Sequence, residues 1–181
     1  MPHPRRPRSR LPGRLPTYPP TLVRYLCIDL GDKRTGIAIG DDLMRLASPV
    51  ELIEVPITDH AGEALLKALL RSIDRNLSPH SPATLLFGLP LNMADGSEGP
   101  RAKIVRVFAA RLEAKLSPPR PIHFHDERLS SVQADWQMSQ SDLTHKQKKS
   151  RRDALAAAAI LADFLSSRGP GASPGTATPD L

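Results

Sequence analysis

The sequence contains very little cysteine, few aromatic residues and no long apolar segment. Of its 181 residues, one is a cysteine and 4% are aromatic. A single cysteine cannot form an internal disulfide or a cysteine-rich zinc site, so a reducing compartment such as the cytoplasm is expected. No stretch approaches the roughly 18 consecutive apolar residues that span a membrane, so no membrane association is expected.

Arginine and proline are concentrated at the N-terminus. Residues 1–20 contain seven of the 19 prolines, five arginines and no acidic residue. Such a segment cannot bury enough apolar surface to offset the entropy lost on ordering, so we predict a disordered leader. Residues 169–181, rich in glycine and proline, are predicted to form a flexible tail. The folded domain is therefore expected over residues 21–168, which carry little of the chain's net charge of +6.

The apolar pattern predicts strands first, and then strands that alternate with helices. Residues 22–30 and 35–40 have the pattern of two strands joined as a β-hairpin, and a third strand is expected near residues 46–53. Later strands are expected at residues 84–87 and 122–125. Helices are predicted over residues 59–77, 130–138 and 151–165, and around an apolar stripe of Ile104, Val107, Phe108, Leu112 and Leu116. This order implies one α/β domain with a mixed sheet covered by helices.

Three acidic residues lie at the ends of predicted elements. Asp29 ends the first strand, Glu127 follows a later strand, and Asp153 is in the first turn of the last predicted helix. In an open α/β sheet such positions meet at one edge, where ligands bind. Carboxylate clusters suit Mg²⁺ or Mn²⁺, and two such ions roughly 3.5–4 Å apart activate water for attack on a phosphodiester. Carboxylates within ~5 Å of one another repel by roughly 3 kcal/mol per pair, so such a cluster calls for a cation.

Each acid also has a purely structural interpretation. Asp29 can simply open a turn, and Glu127 can form a surface ion pair with Arg128, worth about 0–1 kcal/mol. Ser150 and Asp153 have the spacing of a capping box, in which a serine and an acid three residues later satisfy the first turn of a helix. The three acids together favour the metal site.

Four motifs in order indicate a known family. They are IDLGDKRTGIA from residue 28, GLPLNMADGSEG from residue 88, DERLSS from residue 126 and DALAAAAIL from residue 153. Together, over about residues 24–166, they resemble the YqgF family of pre-16S rRNA nucleases, also called Holliday junction resolvases of the RuvX type. The sequence departs from the family pattern at Gly40, Ser130 and Ser131 and in its leader, and none of these departures affects an acid.

The resemblance implies a ribonuclease H-like fold, with antiparallel first strands and parallel later strands. It also implies a hydrolase that cleaves phosphodiester bonds, and Asp29, Glu127 and Asp153 match the three catalytic, metal-binding acids of the family. The expected cofactor is Mg²⁺ or Mn²⁺, as two ions. The expected role is 5′-end processing of precursor 16S rRNA in the cytoplasm during ribosome biogenesis, with ribosomal particles as expected partners and a monomer or homodimer as the active form.

Basic residues near the acids are predicted to bind the nucleic acid backbone. Arg34 and Arg128 are close in sequence to two of the acids. The run KQKKSRR at residues 146–152 leads into Asp153 and supplies Lys148, Lys149, Arg151 and Arg152. The alternative for all six residues is a solvated charged surface.

Three other functions stay open. The spacing from Asp29 to Gly36 also resembles the first phosphate motif of actin-like ATPases, but those enclose nucleotide between two lobes, and residues 21–168 supply only one. A Holliday junction resolvase acting on four-way DNA junctions in recombination would need two active centres in a symmetric dimer. A non-catalytic RNA- or ribosome-binding protein could retain the fold, although it would not need all three acids.

Overall fold

Strand β1 (Arg24–Leu30) lies at the centre of the sheet. The sheet has five strands in the order β3-β2-β1-β4-β5. The apolar run from Tyr25 to Ile28 is almost completely buried, because both faces of the sheet are covered at this strand. A fully buried central strand has a continuous apolar run, and residues 25–28 show this pattern.

The structure is a computed structural model that describes residues 22–128 and 145–168, without the side chains of residues 145–154. The predicted leader, the predicted tail and the helix predicted at residues 130–138 lie outside the described residues.

The predicted β-hairpin is confirmed. Strand β2 (Thr35–Asp41) pairs antiparallel with β1, and β3 (Ala47–Ile53) pairs antiparallel with β2. The turn between β1 and β2 is closed by the Gly31 amide, which donates to the carbonyl oxygen of Arg34 at 2.9 Å. A Cβ atom on residue 31 would collide with this oxygen, so only glycine fits the turn.

The later strands are parallel to β1. Strand β4 (Ala83–Leu89) pairs with β1, and β5 (Ile122–Asp126) pairs with β4. Helix α1 (Glu63–Asn76) precedes β4, and helix α2 (Pro100–Glu113) connects β4 to β5. The sheet is therefore mixed, antiparallel first and parallel later, as predicted for the ribonuclease H-like fold class.

Helices cover both faces of the sheet, and β1 contributes to both. Leu26, Ile28 and Leu30 belong to the apolar cluster that contains residues of α1 and α2. Tyr25 and Cys27 belong to a second cluster, on the side of helix α3 (His145–Ser167). Because strand residues alternate between faces, Asp29 is on the α3 side.

The helix predicted over residues 59–77 begins later than expected. A short 3₁₀ turn at Asp59–Gly62 precedes α1. His60, Ala61 and Gly62 have φ values of 49°, 54° and 84°. A right-handed helix requires negative φ, so α1 begins only after these three residues.

The apolar face predicted for α2 is partly wrong. Phe108 and Leu112 are buried, but Ile104 and Val107 are 45% and 63% exposed. The buried face is completed by smaller side chains, those of Ala102, Val105 and Ala109. The alanine side chain is small, so an alanine-containing face allows a helix to pack close to a sheet. A prediction based on large apolar residues does not find such a face.

Helix α3 begins six residues before the predicted start at residue 151. Ser150 and Asp153 consequently lie inside the helix, whereas a capping serine must precede it. The capping-box interpretation of Asp153 is therefore wrong. Lysine, glutamine and arginine are good helix formers, which explains why the basic run continues the helix. Within the described residues, no helix combines the length and apolarity needed to cross a bilayer.

Candidate active site

A cleft of about 370 Å³ contains two of the three acids singled out from the sequence. Asp29 is the penultimate residue of β1, and Glu127 directly follows β5. Both strands are hydrogen-bonded to β4 and parallel to it, so their carboxyl ends meet at one edge of the sheet. Both carboxylates line the cleft at this edge.

Gly88 in β4 makes room for Glu127. A Cβ atom on residue 88 would lie 3.0 Å from Oε2 of Glu127 and 2.8 Å from Cδ1 of Ile160. Any larger residue would displace the carboxylate or the buried isoleucine. The predicted strand stops before this glycine, although an isolated glycine at the end of a strand pattern is a known sign of close approach by another group.

Burial is the main influence on the Glu127 carboxyl, and it raises the pKa of this group. The positive charge of Arg101 lowers the pKa, and the negative charge of Asp126 raises it further. Burial thus disfavours the charged carboxylate, which a bound cation would stabilise. Two carboxylates in one cleft are also the hard oxygen ligands that Mg²⁺ and Mn²⁺ prefer, so the residues present fit a divalent ion.

The buried thiol of Cys27 is close enough to both acids for their charges to affect its pKa. Cys27 is fully buried two residues before Asp29. Burial raises the pKa of its thiol well above the usual range, and the charges of Asp29 and Glu127 raise it further. Both carboxylates therefore act electrostatically on the same buried sulfur atom.

Arg101 connects α2 to the end of β1 and the turn that follows it. It was not predicted as a site residue from the sequence. It is the second residue of α2, and its Nη2 donates to the carbonyl oxygen of Leu30 at 2.6 Å. Its Nη1 forms an ion pair with Asp32 in the turn after β1. Arg101 thus anchors the backbone next to Asp29 while its charge acts on Glu127. The partners are about 70 residues apart in sequence, so no local pattern predicts them.

We expect Arg101→Ala to lower the single-turnover cleavage rate about tenfold or more, because supporting residues around metal sites have effects of this size. Arg101→Lys should recover only part of the rate, since an ammonium keeps the charge but not the forked hydrogen bonds. The matched control is Arg75→Ala, which removes a similar ion pair with Glu51, at 2.8 Å, between α1 and β3. Equal losses of rate in Arg101→Ala and Arg75→Ala would contradict a role specific to the cleft.

Arg128 lines the cleft, but its guanidinium is held by neighbours. Nε and Nη2 donate to the Asp126 carboxylate at 2.6–3.0 Å, and Nη1 donates to the carbonyl oxygen of Asn92 at 3.1 Å. This pairing holds the pKa of Asp126 below its usual range. The structural interpretation of Glu127 expects Arg128 as its ion-pair partner, whereas the carboxylate that Arg128 contacts here is Asp126.

Arg34 lies beside the end of β3. Its Nε is 3.1 Å from Oε1 of Glu54, the residue that follows this strand. Of the two arginines predicted to bind phosphate within the described part of the chain, Arg128 lines the cleft and Arg34 does not.

The third acid and the basic run belong to α3. Asp153 precedes Ala156 by three residues and Ile160 by seven, and these two residues line the cleft. The side chains of Asp153, Lys148, Lys149, Arg151 and Arg152 lie outside the described part of the structure. Among the side chains that are described, no group of three histidine, cysteine or acidic residues could hold a metal ion.

The mixed five-stranded sheet, the helices on both faces and the two carboxylates at the strand ends have the arrangement predicted for the ribonuclease H-like fold class. The family model described as RuvX, Holliday junction resolvase, matches residues 23–167. The chain belongs to this family, which confirms the predicted resemblance. Its members are hydrolases that act on phosphodiester bonds.

Curated relatives carry the other family name. A protein of Anaeromyxobacter dehalogenans (strain 2CP-C), named as a pre-16S rRNA nuclease, is 37% identical over 148 residues, covering 82% of this chain and 100% of the relative. A protein of the same name from Paracoccus denitrificans (strain Pd 1222) is 42% identical over 138 residues, covering 76% and 80%.

Among solved structures, RuvC of T. thermophilus in complex with a Holliday junction substrate has a TM-score of 0.47 at 12% identity, covering 80% of this chain and 94% of RuvC. Fowlpox virus resolvase in complex with Holliday junction DNA has a TM-score of 0.48 at 12% identity, covering 80% and 97%.

Proposed function

We propose that the chain is a metal-dependent nuclease that processes the 5′ end of precursor 16S rRNA. The observation that carries this proposal is that Asp29 and Glu127, from different strands, line one cleft. The names of the relatives at 37% and 42% identity support precursor rRNA as the substrate. The cytoplasm, which suits the lone buried Cys27, is the proposed compartment, and ribosomal particles are the proposed partners.

In the proposed site, Asp29, Glu127 and Asp153 hold Mg²⁺ or Mn²⁺. Helical spacing supports Asp153, because residues 153, 156 and 160 share one face of α3. When bound, such ions polarise the phosphate and activate water for in-line attack. The protein supplies rigidity: Asp29 is held in the central strand, Gly88 leaves space for Glu127, and Arg101 anchors the turn beside both.

The proposed contacts to the sugar–phosphate backbone are the six basic residues predicted from the sequence. Arg128 lines the cleft and is the best supported. The others are Arg34 and, in α3 before the third acid, Lys148, Lys149, Arg151 and Arg152. Their binding to phosphate would depend strongly on salt concentration, because each contact releases counterions.

The second candidate function is resolution of four-way DNA junctions. The description of the family model as Holliday junction resolvase favours it. A junction has two strands to cut, so this activity would need a symmetric dimer, whereas rRNA processing is compatible with a monomer or a homodimer.

The test is to incubate the protein with precursor 16S rRNA and with a four-way junction side by side, in Mg²⁺ and in Mn²⁺. We expect cleavage of the precursor at its 5′ region and no paired cuts in the junction. Symmetric cuts in the junction with an intact precursor would favour the second function. Cleavage of neither substrate by the wild-type protein would contradict both.

A further inference from the structure

Five of the eight residues that line the candidate cleft are apolar, which the proposed phosphodiester chemistry does not require. The loop between β4 and α2 contributes Pro90, Leu91 and Met93, and α3 contributes Ala156 and Ile160. We call these five residues the apolar wall. Carboxylates and a cation bind the phosphate group alone, so the exposed part of the apolar wall is available to another part of the substrate.

Met93 is the most exposed member of the apolar wall. Its exposed fraction is 78%, whereas Ile160 is 1% exposed. A single exposed apolar side chain on a protein surface is ordinary. Met93 differs because it lines the same cleft as two carboxylates. An apolar side chain at that place excludes water beside the reacting group or contacts the substrate.

The loop that carries Met93 is cross-braced. The Asn92 amide donates to the carbonyl oxygen of Ser97 at 2.9 Å, and Nδ2 of Asn92 donates to Oγ of Ser97 at 2.7 Å. The carbonyl oxygen of Asn92 accepts from Arg128 at 3.1 Å. These contacts brace the backbone next to Met93, and such bracing lowers the entropic cost of a contact.

We propose that the apolar wall is a subsite for the nucleobase next to the scissile phosphate, with Met93 against the face of the base. This inference rests on the proposed function, because the acids locate the phosphate. A base is joined to its phosphate through one sugar, so a phosphate at the carboxylates brings its base within reach of the other residues that line the same cleft. The cleft volume of about 370 Å³ is within the range of pockets for small ligands, roughly 300–1,000 Å³. The polarizable thioether of methionine packs favourably on aromatic rings.

The subsite restricts the form of the substrate. In a duplex the faces of each base are covered by its neighbours, so a base reaches the wall only after it leaves the stack. The nucleotide at the cleavage position must therefore be unpaired. The subsite should bind a nucleotide with a base more tightly than one without, and it should not distinguish between bases. Every base has an apolar face, and the apolar side chains of the wall form no hydrogen bonds with base edges.

The test measures binding, so that it does not depend on cleavage. Fluorescence anisotropy compares labelled hexauridylate with a base-free sugar–phosphate hexamer, both bound to the Asp29→Asn protein. We expect hexauridylate to bind about two- to tenfold more tightly, the range that one methionine–ring contact supplies. Adding Met93→Ser should remove most of this preference and leave the affinity for the base-free hexamer unchanged. Val107→Ser, which changes an apolar residue of α2 that is 63% exposed, is the matched control and should keep the preference.

Two results would overturn the subsite. One is an equal loss of affinity for both hexamers in Met93→Ser, and the other is an unchanged preference. A fall in melting temperature with no change in preference would mean that Met93 packs within the protein. The proposed function fails separately: a wild-type protein that cleaves no nucleic acid but shows the Met93-dependent preference would overturn the nuclease and leave Met93 as part of a base-binding surface.

Discussion

Asp29→Asn is expected to abolish metal-dependent cleavage while the protein stays folded. The substitution keeps the shape of the side chain and removes one of the two carboxylates that line the cleft. Residues that merely support a metal ligand commonly contribute 10- to 100-fold, so loss of a ligand should lower the cleavage rate by more than about a hundredfold. The fold should persist because the buried part of β1, from Tyr25 to Ile28, is untouched.

The measurement is the single-turnover rate on the preferred substrate in Mg²⁺ and in Mn²⁺, together with circular dichroism. Asp74→Asn is the matched control, because it makes the same chemical change at an exposed position of α1. Activity in Asp29→Asn equal to that of Asp74→Asn would leave Asp29 as no more than the residue that opens the β1–β2 turn.

The general architecture could be predicted because its causes are local. The hairpin follows from two apolar runs joined by a tight turn that needs Gly31. The convergence of Asp29 and Glu127 follows from a topological rule, that the carboxyl ends of parallel strands meet at one edge. Neither inference required knowledge of a contact between distant residues.

The predictions were wrong or incomplete where tertiary packing determines which residues are buried and which side chains pair. Ile104 and Val107 fit a helical apolar stripe, but α2 packs through a face that includes Ala102 and Ala109. Equally, nothing near Arg101 in sequence indicates that it contacts Leu30 and Asp32, because these partners precede it by about 70 residues in the chain. Side-chain partners of this kind are decided by the fold and not by spacing.

The hydrogen-bond partners of Arg128 changed the interpretation of the site most. Arg128 was predicted to contact phosphate, and it does line the cleft, yet its guanidinium also braces Asp126 and the loop at Asn92. A residue that already bridges two elements can bind phosphate only with part of its donors. The charge of Arg128 and the position of the loop at Asn92 are therefore coupled.

Glu127→Gln should show that activity and stability oppose each other at this cleft. Burial raises the pKa of the Glu127 carboxyl, so at neutral pH the charged form is less favourable in the folded protein than in the unfolded chain. Glutamine carries no charge and removes this penalty. We therefore expect cleavage to fall by more than about a hundredfold, while the melting temperature in EDTA rises by a few degrees.

The pH dependence provides the decisive check on this cause. The penalty exists only while the carboxyl is ionised, so the difference in melting temperature between Glu127→Gln and wild type should narrow as the pH is lowered through the raised pKa. Glu113→Gln, at the exposed end of α2, is the matched control and should change neither the rate nor the melting temperature. A lower melting temperature for Glu127→Gln at neutral pH would mean that the charge stabilises the metal-free fold, most directly through Arg101, and that the acid is structural. A higher melting temperature together with lost cleavage would show that the protein keeps the charged Glu127 carboxylate for its reaction, at the expense of stability.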